Sequence, residues 1–156
     1  MNQKGPEDEE QLQEQEERNG LPDFSKILGL PESFDPESDF DSESDEQSND
    51  ITYHFNAGIS MLKDSLEKKV EETDYDDIIR HFDKIIEIKP NQADIYCLRG
   101  FAKQMNSNLD GAINDFTEAI NFCPDYAEAY FFRGAVKTQK NEFDAAIEDF
   151  VKANEL

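Results

Sequence analysis

Few side chains in this sequence are of types that carry out chemistry, and their spacing restricts what they could do. His54 and His81 fall on different predicted helices, with no nearby cysteine and no carboxylate at a recognisable ligand or catalytic spacing, so we read them as surface or partly buried structural residues. Cys97 and Cys123 form neither a disulfide framework nor a zinc set and read as small buried hydrophobes in a reducing compartment. Arg99 and Arg133 recur at matched positions, where they can form ion pairs between helices with Asp115 or Asp149, or bind a partner's carboxylate. There is no glycine-rich phosphate loop, no nucleophile elbow and no carboxylate pair placed to perturb a pKa. We therefore expect no catalytic residues, no cofactor and no metal, and a non-enzymatic protein.

The chain that must position these residues has 15 basic and 37 acidic side chains among 156 residues, a net charge of −22. Such an acid excess argues against nucleic acid or an anionic membrane surface as a partner, since both are polyanions. No apolar run approaches the ~18 residues needed to span a bilayer, and MNQKGPEDEEQLQEQEERNG lacks the apolar stretch of a signal peptide. A cytoplasmic protein is the expectation. Residues 1–50 carry 17 acids against three bases and few aliphatics, whereas 51–156 carry 20 acids and 12 bases. The first segment cannot bury enough apolar surface to offset roughly 1–2 kcal/mol of backbone entropy per ordered residue. We read 1–50 as a disordered acidic tail, simply solvated or a binder of basic proteins, with Ser38, Ser42 and Ser44 in the acidic context that acid-directed kinases favour.

One stretch of that tail departs from the pattern. Leu21, Phe24, Ile27 and Leu28 fall at helical spacing, with Pro22 suited to a first turn and Gly29 to a stop. Two turns of helix are marginal alone, so residues 21–30 are either a short docking motif that orders against a surface or an inert local cluster.

The second segment is built from a repeat. Pro90-Asn-Gln-Ala-Asp-Ile-Tyr-Cys-Leu-Arg-Gly100 matches Pro124-Asp-Tyr-Ala-Glu-Ala-Tyr-Phe-Phe-Arg-Gly134 at a displacement of 34, and Asp110, Ala112, Ile113, Asp115, Phe116 and Ala119 match Asp144, Ala146, Ile147, Asp149, Phe150 and Ala153 in the same register. A fixed period of this size marks a stacked repeat architecture. Each period reads as two helices, about Ala93–Met105 and Leu109–Phe122, separated by the turn formers Asn106-Ser-Asn108 and ended by Pro90 or Pro124. In the next period Asn141 is expected to cap the second helix. A divergent earlier copy spans 51–90. Its second helix is in phase, but its small pair Ala57-Gly58 lies about eight residues too far upstream, while Phe55, Ile59, Leu62, Leu66 and Val70 imply a first helix about two turns longer.

A 34-residue helix–turn–helix with aromatic, Gly, Ala, Phe, Ala and Pro at these spacings resembles the tetratricopeptide repeat, closely at 93–124 and 127–156 and loosely at 51–90. The resemblance implies an all-α solenoid of about three antiparallel helix pairs at 51–156, whose first helices line a concave groove that binds a peptide or a partner's helix. On helical geometry Tyr130, Phe131 and Phe132 span an arc that one neighbour cannot cover. The resemblance makes Tyr130 the packing position within its repeat. We expect Cys97, Leu98, Phe101, Phe131, Phe132 and Ala135 to form the groove, unless they only pack repeat against repeat.

Family members that clamp acidic C-terminal peptides carry Asn, Lys and Arg on this face. Here Leu98 and Phe132 stand there, flanked by Asp94 and Glu128, so the expected partner is an apolar peptide or amphipathic helix of another protein. A dedicated chaperone of a secretion or assembly system is the alternative, as is capture of basic proteins by the acidic tail. The last helix carries Phe143, Ile147, Phe150 and Val151 with no capping helix after it, so that edge is expected to be covered by a second copy, as a weak homodimer, or by Phe24–Leu28.

Overall fold

The computed structural model describes residues 46–67 and 74–156. The expected docking motif (Leu21, Phe24, Ile27 and Leu28), most of the acidic tail, and Val70 lie outside the described residues. Among those described there are six helices and no strand: α1 (Glu46–Glu67), α2 (Tyr75–Ile88), α3 (Ala93–Met105), α4 (Leu109–Phe122), α5 (Ala127–Gln139) and α6 (Phe143–Glu155). Each packs on its neighbours in chain order, giving the pairs α1–α2, α3–α4 and α5–α6, and α3 also touches α5. Helix α1 starts at Glu46, five residues before the boundary expected at Ile51, and is 22 residues long against 13 for α3 and α5. Ile51, Phe55 and Leu62 are its buried stripe.

Local chemistry sets the helix ends. Asp74 accepts from the Asp77 N–H at 3.1 Å to start α2, and Asn108 accepts from the Gly111 N–H at 3.0 Å to start α4. At α6 the expected Asn141 cap is displaced by one residue. Glu142 holds the N-cap position without a side-chain bond, and Asn141 takes φ 63°, the counterpart of Ser107 at φ 60°. These left-handed residues close α5 and α3, letting the Glu142 and Asn108 N–H groups reach the Lys137 and Lys103 carbonyls at 2.9 and 2.8 Å.

Within each pair, one glycine lets the helices approach. A Cβ on Gly58, Gly100 or Gly134 would stand 3.0, 2.9 or 2.9 Å from the ring of Phe82, Phe116 or Phe150 respectively. Gly58 precedes Gly100 by 42 residues rather than 34, which fixes the register of the elongated α1.

Ionic networks join the two helices of a pair and reach across to the preceding one. Arg99 donates from Nε and Nη2 to the Asp115 carboxylate at 2.9 and 2.7 Å, while its Nη1 reaches back to Asp83 on the preceding pair at 2.6 Å. Lys103 adds a bond to Asp115 at 2.8 Å. The third pair repeats this with Arg133 and Lys137 on Asp149, and Arg133 Nη1 reaches back to Thr117 at 3.2 Å. The expected Arg–Asp pairing is therefore present. Asp115 and Asp149 are buried. For Asp149 burial alone would raise the carboxyl, but the Arg133 and Lys137 bonds outweigh it and hold the group below its ordinary value. Tyr96 and Tyr130 underlie the guanidinium groups at 5.2 and 5.5 Å.

The first pair is built differently. Following the displaced register, His81 stands where Asp115 does, His54 where Tyr96 does, and Ala57 where Arg99 does. The two histidines share a hydrogen bond, Nδ1 to Nδ1, at 2.7 Å. This requires at least one neutral ring. Burial, then the neighbouring His54, lowers His81 from its ordinary value of 6.5, partly offset by Asp77.

Three outcomes follow for stability. Gly100→Ala should lose about 1 kcal/mol in urea unfolding, because overpacking against buried Phe116, about 1–3 kcal/mol, exceeds the roughly 1 kcal/mol gain in helix propensity. Asp149→Asn should cost about 2–3 kcal/mol by leaving two cations underpaired, whereas Glu155→Gln, at an exposed pair, should cost under about 0.5 kcal/mol. Because His81 is depressed when folded, the unfolded chain binds more protons just below 6.5, so stability falls as pH drops through that range. We expect α1–α2 amides to exchange faster at pH about 5.5 than at about 7.5 after correction for intrinsic rates. His81→Gln should flatten the difference.

Candidate functional site

The first helices present one matched row. Ile59, Phe101 and Ala135 each follow the close-approach glycine of their helix by one residue, and all three are half-buried. Thr52, Asp94 and Glu128 form a second row seven residues earlier, also half-buried. Two of its three members are acidic, and no cation stands in either row. Burial raises the Asp94 carboxyl above its ordinary value, with backbone N–H groups opposing the shift.

The aromatic residues expected in the groove do meet. The Phe132 ring contacts Phe101 edge-on at 5.5 Å and stacks on Phe116 at 5.8 Å. Phe131 packs against Phe132 at 5.8 Å and Phe150 at 5.6 Å, yet remains 54% exposed. Phe132 itself is buried, forming the floor of this cluster rather than its surface.

Cys97 is the small buried hydrophobe expected of it, but neither it nor Leu98 has the exposure expected of a groove residue. They are 0% and 1% exposed, so neither lies on an open side of α3. The next pair covers Cys97, whose thiol is hydrogen-bonded to Tyr126 and neighboured by Glu128. Desolvation pushes this thiol up to about 12, which leaves a protonated, unreactive sulfhydryl. Leu98 is likewise covered within the array. Of the six residues named for the groove, Phe101, Phe131 and Ala135 thus keep accessible surface. Gln104, three residues beyond Phe101, has a buried Oε1 without a hydrogen-bond donor among the described residues.

Two features escaped the sequence reading. Lys103 and Lys137 complete the aspartate networks, and their identity at the 34-residue displacement was a usable signal. The His54–His81 contact gave no such signal, because the extra length of α1 moves His54 out of the common register. Among the described residues no group of three His, Cys, Asp or Glu side chains could hold a metal ion, and no helix is long and apolar enough to cross a membrane.

Comparison with known proteins places this geometry. A sequence model described as the tetratricopeptide repeat matches residues 127–156. No curated protein sequence matches the chain. Among solved structures, the second tetratricopeptide-repeat domain of Spaghetti (RPAP3), bound to the HSP90 peptide SRMEEVD, is similar with a TM-score of 0.60 and 21% identity, over 70% of this chain and 96% of that one. MamA is similar with a TM-score of 0.59 and 22% identity, over 76% of this chain and 62% of that one. MamA 41-end from Desulfovibrio magneticus RS-1 gives 0.61 and 21%, over 68% and 55%. The chain thus spans less than two thirds of the length of these two MamA structures. Residues 127–156 are a tetratricopeptide repeat, and the helix pairs of the chain take the fold of tetratricopeptide-repeat proteins.

Proposed function

We propose that the chain is a non-enzymatic protein-interaction module, holding an apolar peptide or partner helix against the row Ile59–Phe101–Ala135, with Phe131 at its far end. The observation that carries this reading is the chemistry of the two matched rows. One is apolar and half-exposed on every first helix; the other supplies Asp94 and Glu128 and no cation. A ligand held here gains by burying apolar surface over Phe101 and loses by bringing carboxylates. The fold neighbour RPAP3 was solved with a peptide that contains two glutamates and an aspartate, SRMEEVD. On this chain such a peptide would meet acids, so we assign the opposite preference, for an apolar segment free of acidic residues.

The test is a peptide array probed with the full chain, followed by titration of the best binders. Apolar sequences should be selected over acidic ones, with SRMEEVD near background. Phe101→Glu should weaken the selected peptides at least tenfold while the helical circular dichroism is retained, since truncating a central anchor costs about 1–2 kcal/mol or more. Selection of acidic peptides, or full binding by Phe101→Glu, would remove this reading.

A further inference from the structure

The outer faces of the first and last helices differ in kind, and the repeat register shows what the last one is shaped to accept. Inside the array α5 packs onto α4, with Ala129, Phe132 and Val136 as its buried side chains. Phe132 stacks on Phe116 at 5.8 Å, and Lys140 ends the contact on Asp110 at 2.7 Å. Helix α3 likewise packs onto α2, with Ile95, Leu98 and Ala102 among its buried side chains and Asn106 on Asp76 at 2.7 Å. Thirty-four residues on from Cys97, Leu109, Ile113, Asp110 and Thr117 stand Phe131, Phe143, Ile147, Asp144 and Val151.

Four of these are large and uncovered: Phe131 is 54% exposed, Phe143 56%, Ile147 59% and Val151 53%, whereas the covered counterpart Cys97 is 0% exposed. Asp144 is exposed and has no partner among the described residues, although its counterparts Asp76 and Asp110 each accept from the following pair. The face of α5–α6 therefore repeats both the apolar and the polar half of an interface that the chain forms twice internally.

Two copies of the chain fit this face poorly. The outer face of α1 carries Tyr53, Asn56 and Ser60 at the positions of Ile95, Leu98 and Ala102, so it cannot insert head-to-tail as α3 and α5 do. Pairing two α6 faces would bring together Asp144 and Glu148 from both chains, each of net charge −22, with neither acid neutralised.

We infer that the α5–α6 face binds, in trans, an amphipathic helix of another polypeptide carrying apolar residues at positions i, i+3 and i+7 and a lysine or arginine at i+11. The aromatic or leucine at i+3 lies over Phe150, the aliphatic at i+7 over Ile147, and the cation bonds Asp144. At i+4, where the internal helices carry Arg99 and Arg133, Val151 offers no acceptor in place of Asp83 or Thr117, so an apolar residue is preferred there. This surface meets the row around Phe101 only at Phe131, and its anchors on α6 stand independently of the groove reading.

The probe is a helix-stabilised, fluorescein-labelled peptide of residues 125–141, which carries Ala129, Phe132, Val136 and Lys140 in this spacing, titrated into the full chain with anisotropy detection. We expect saturable binding, lost at least tenfold in Ile147→Asp, and weakened about two- to fivefold by Asp144→Asn or by Lys140→Gln in the peptide, with the Lys140 effect fading at high salt. Arg133→Leu in the peptide should bind more tightly. Phe101→Glu should leave binding unchanged, which separates this face from the groove. Unaltered binding to Ile147→Asp, or loss in Phe101→Glu instead, would overturn the inference. So would failure of the peptide to bind, whether the chain sediments as a monomer or as a dimer that Ile147→Asp dissociates.

Discussion

A buried carboxylate between two cations is the contact on which the array depends. Asp115 and Asp149 are desolvated, and an isolated charge there would be strongly unfavourable. Each is made tolerable by an arginine that binds it in two places and a lysine one turn further on. The arginine has a donor to spare, and that donor crosses to the preceding pair, on Asp83 or Thr117. A network needed to satisfy the interior of one pair therefore sets its angle to the next. Apolar burial alone is non-directional and tolerates sliding; the fork of the guanidinium does not. A tyrosine ring lies beneath each arginine at 5.2 and 5.5 Å.

Much of this was legible in the residues. The displacement of 34 identified α3 to α6, and the ends expected for α3 and α4 are those observed. It also gave Arg99 and Arg133 their carboxylate partners. What was misread came from weighing residue type above register. Asn141 is a good capping residue by type, but its register partner is Ser107, so it takes the left-handed turn and Glu142 takes the cap. Cys97 and Leu98 were named for the groove from one helix considered alone, whereas both are buried in the array. The apolar row was only half visible. Phe101 and Ala135 were found, but Ile59 belongs to a helix whose extra length hides its alignment until Gly58 is seen against Phe82.

The first pair shows what changes when no helix precedes it among the described residues. An arginine at the position of Ala57 would have no preceding carboxylate to reach, and the acid it would have served is replaced by His81. The pair substitutes a short bond between two rings for a charged network, and Tyr53 packs edge-on against both at 5.2 and 6.0 Å. The outer side of α1 is correspondingly polar. The described helices thus run from a polar, water-facing end to an ionic interior and then to an apolar end.

That ordering bears on cooperativity. Contacts run mainly between consecutive helices, so the fold behaves as a short one-dimensional chain of coupled units rather than a body with a single core. In such a chain the energy of one junction is not shared by all the others. Among the described residues the α1–α2 unit is joined to the rest mainly through α2 and α3, and has no arginine–aspartate clasp of its own. A probe on α1 and a probe on α6 would then report different transition midpoints, and one unfolding free energy would be an average over units that open separately.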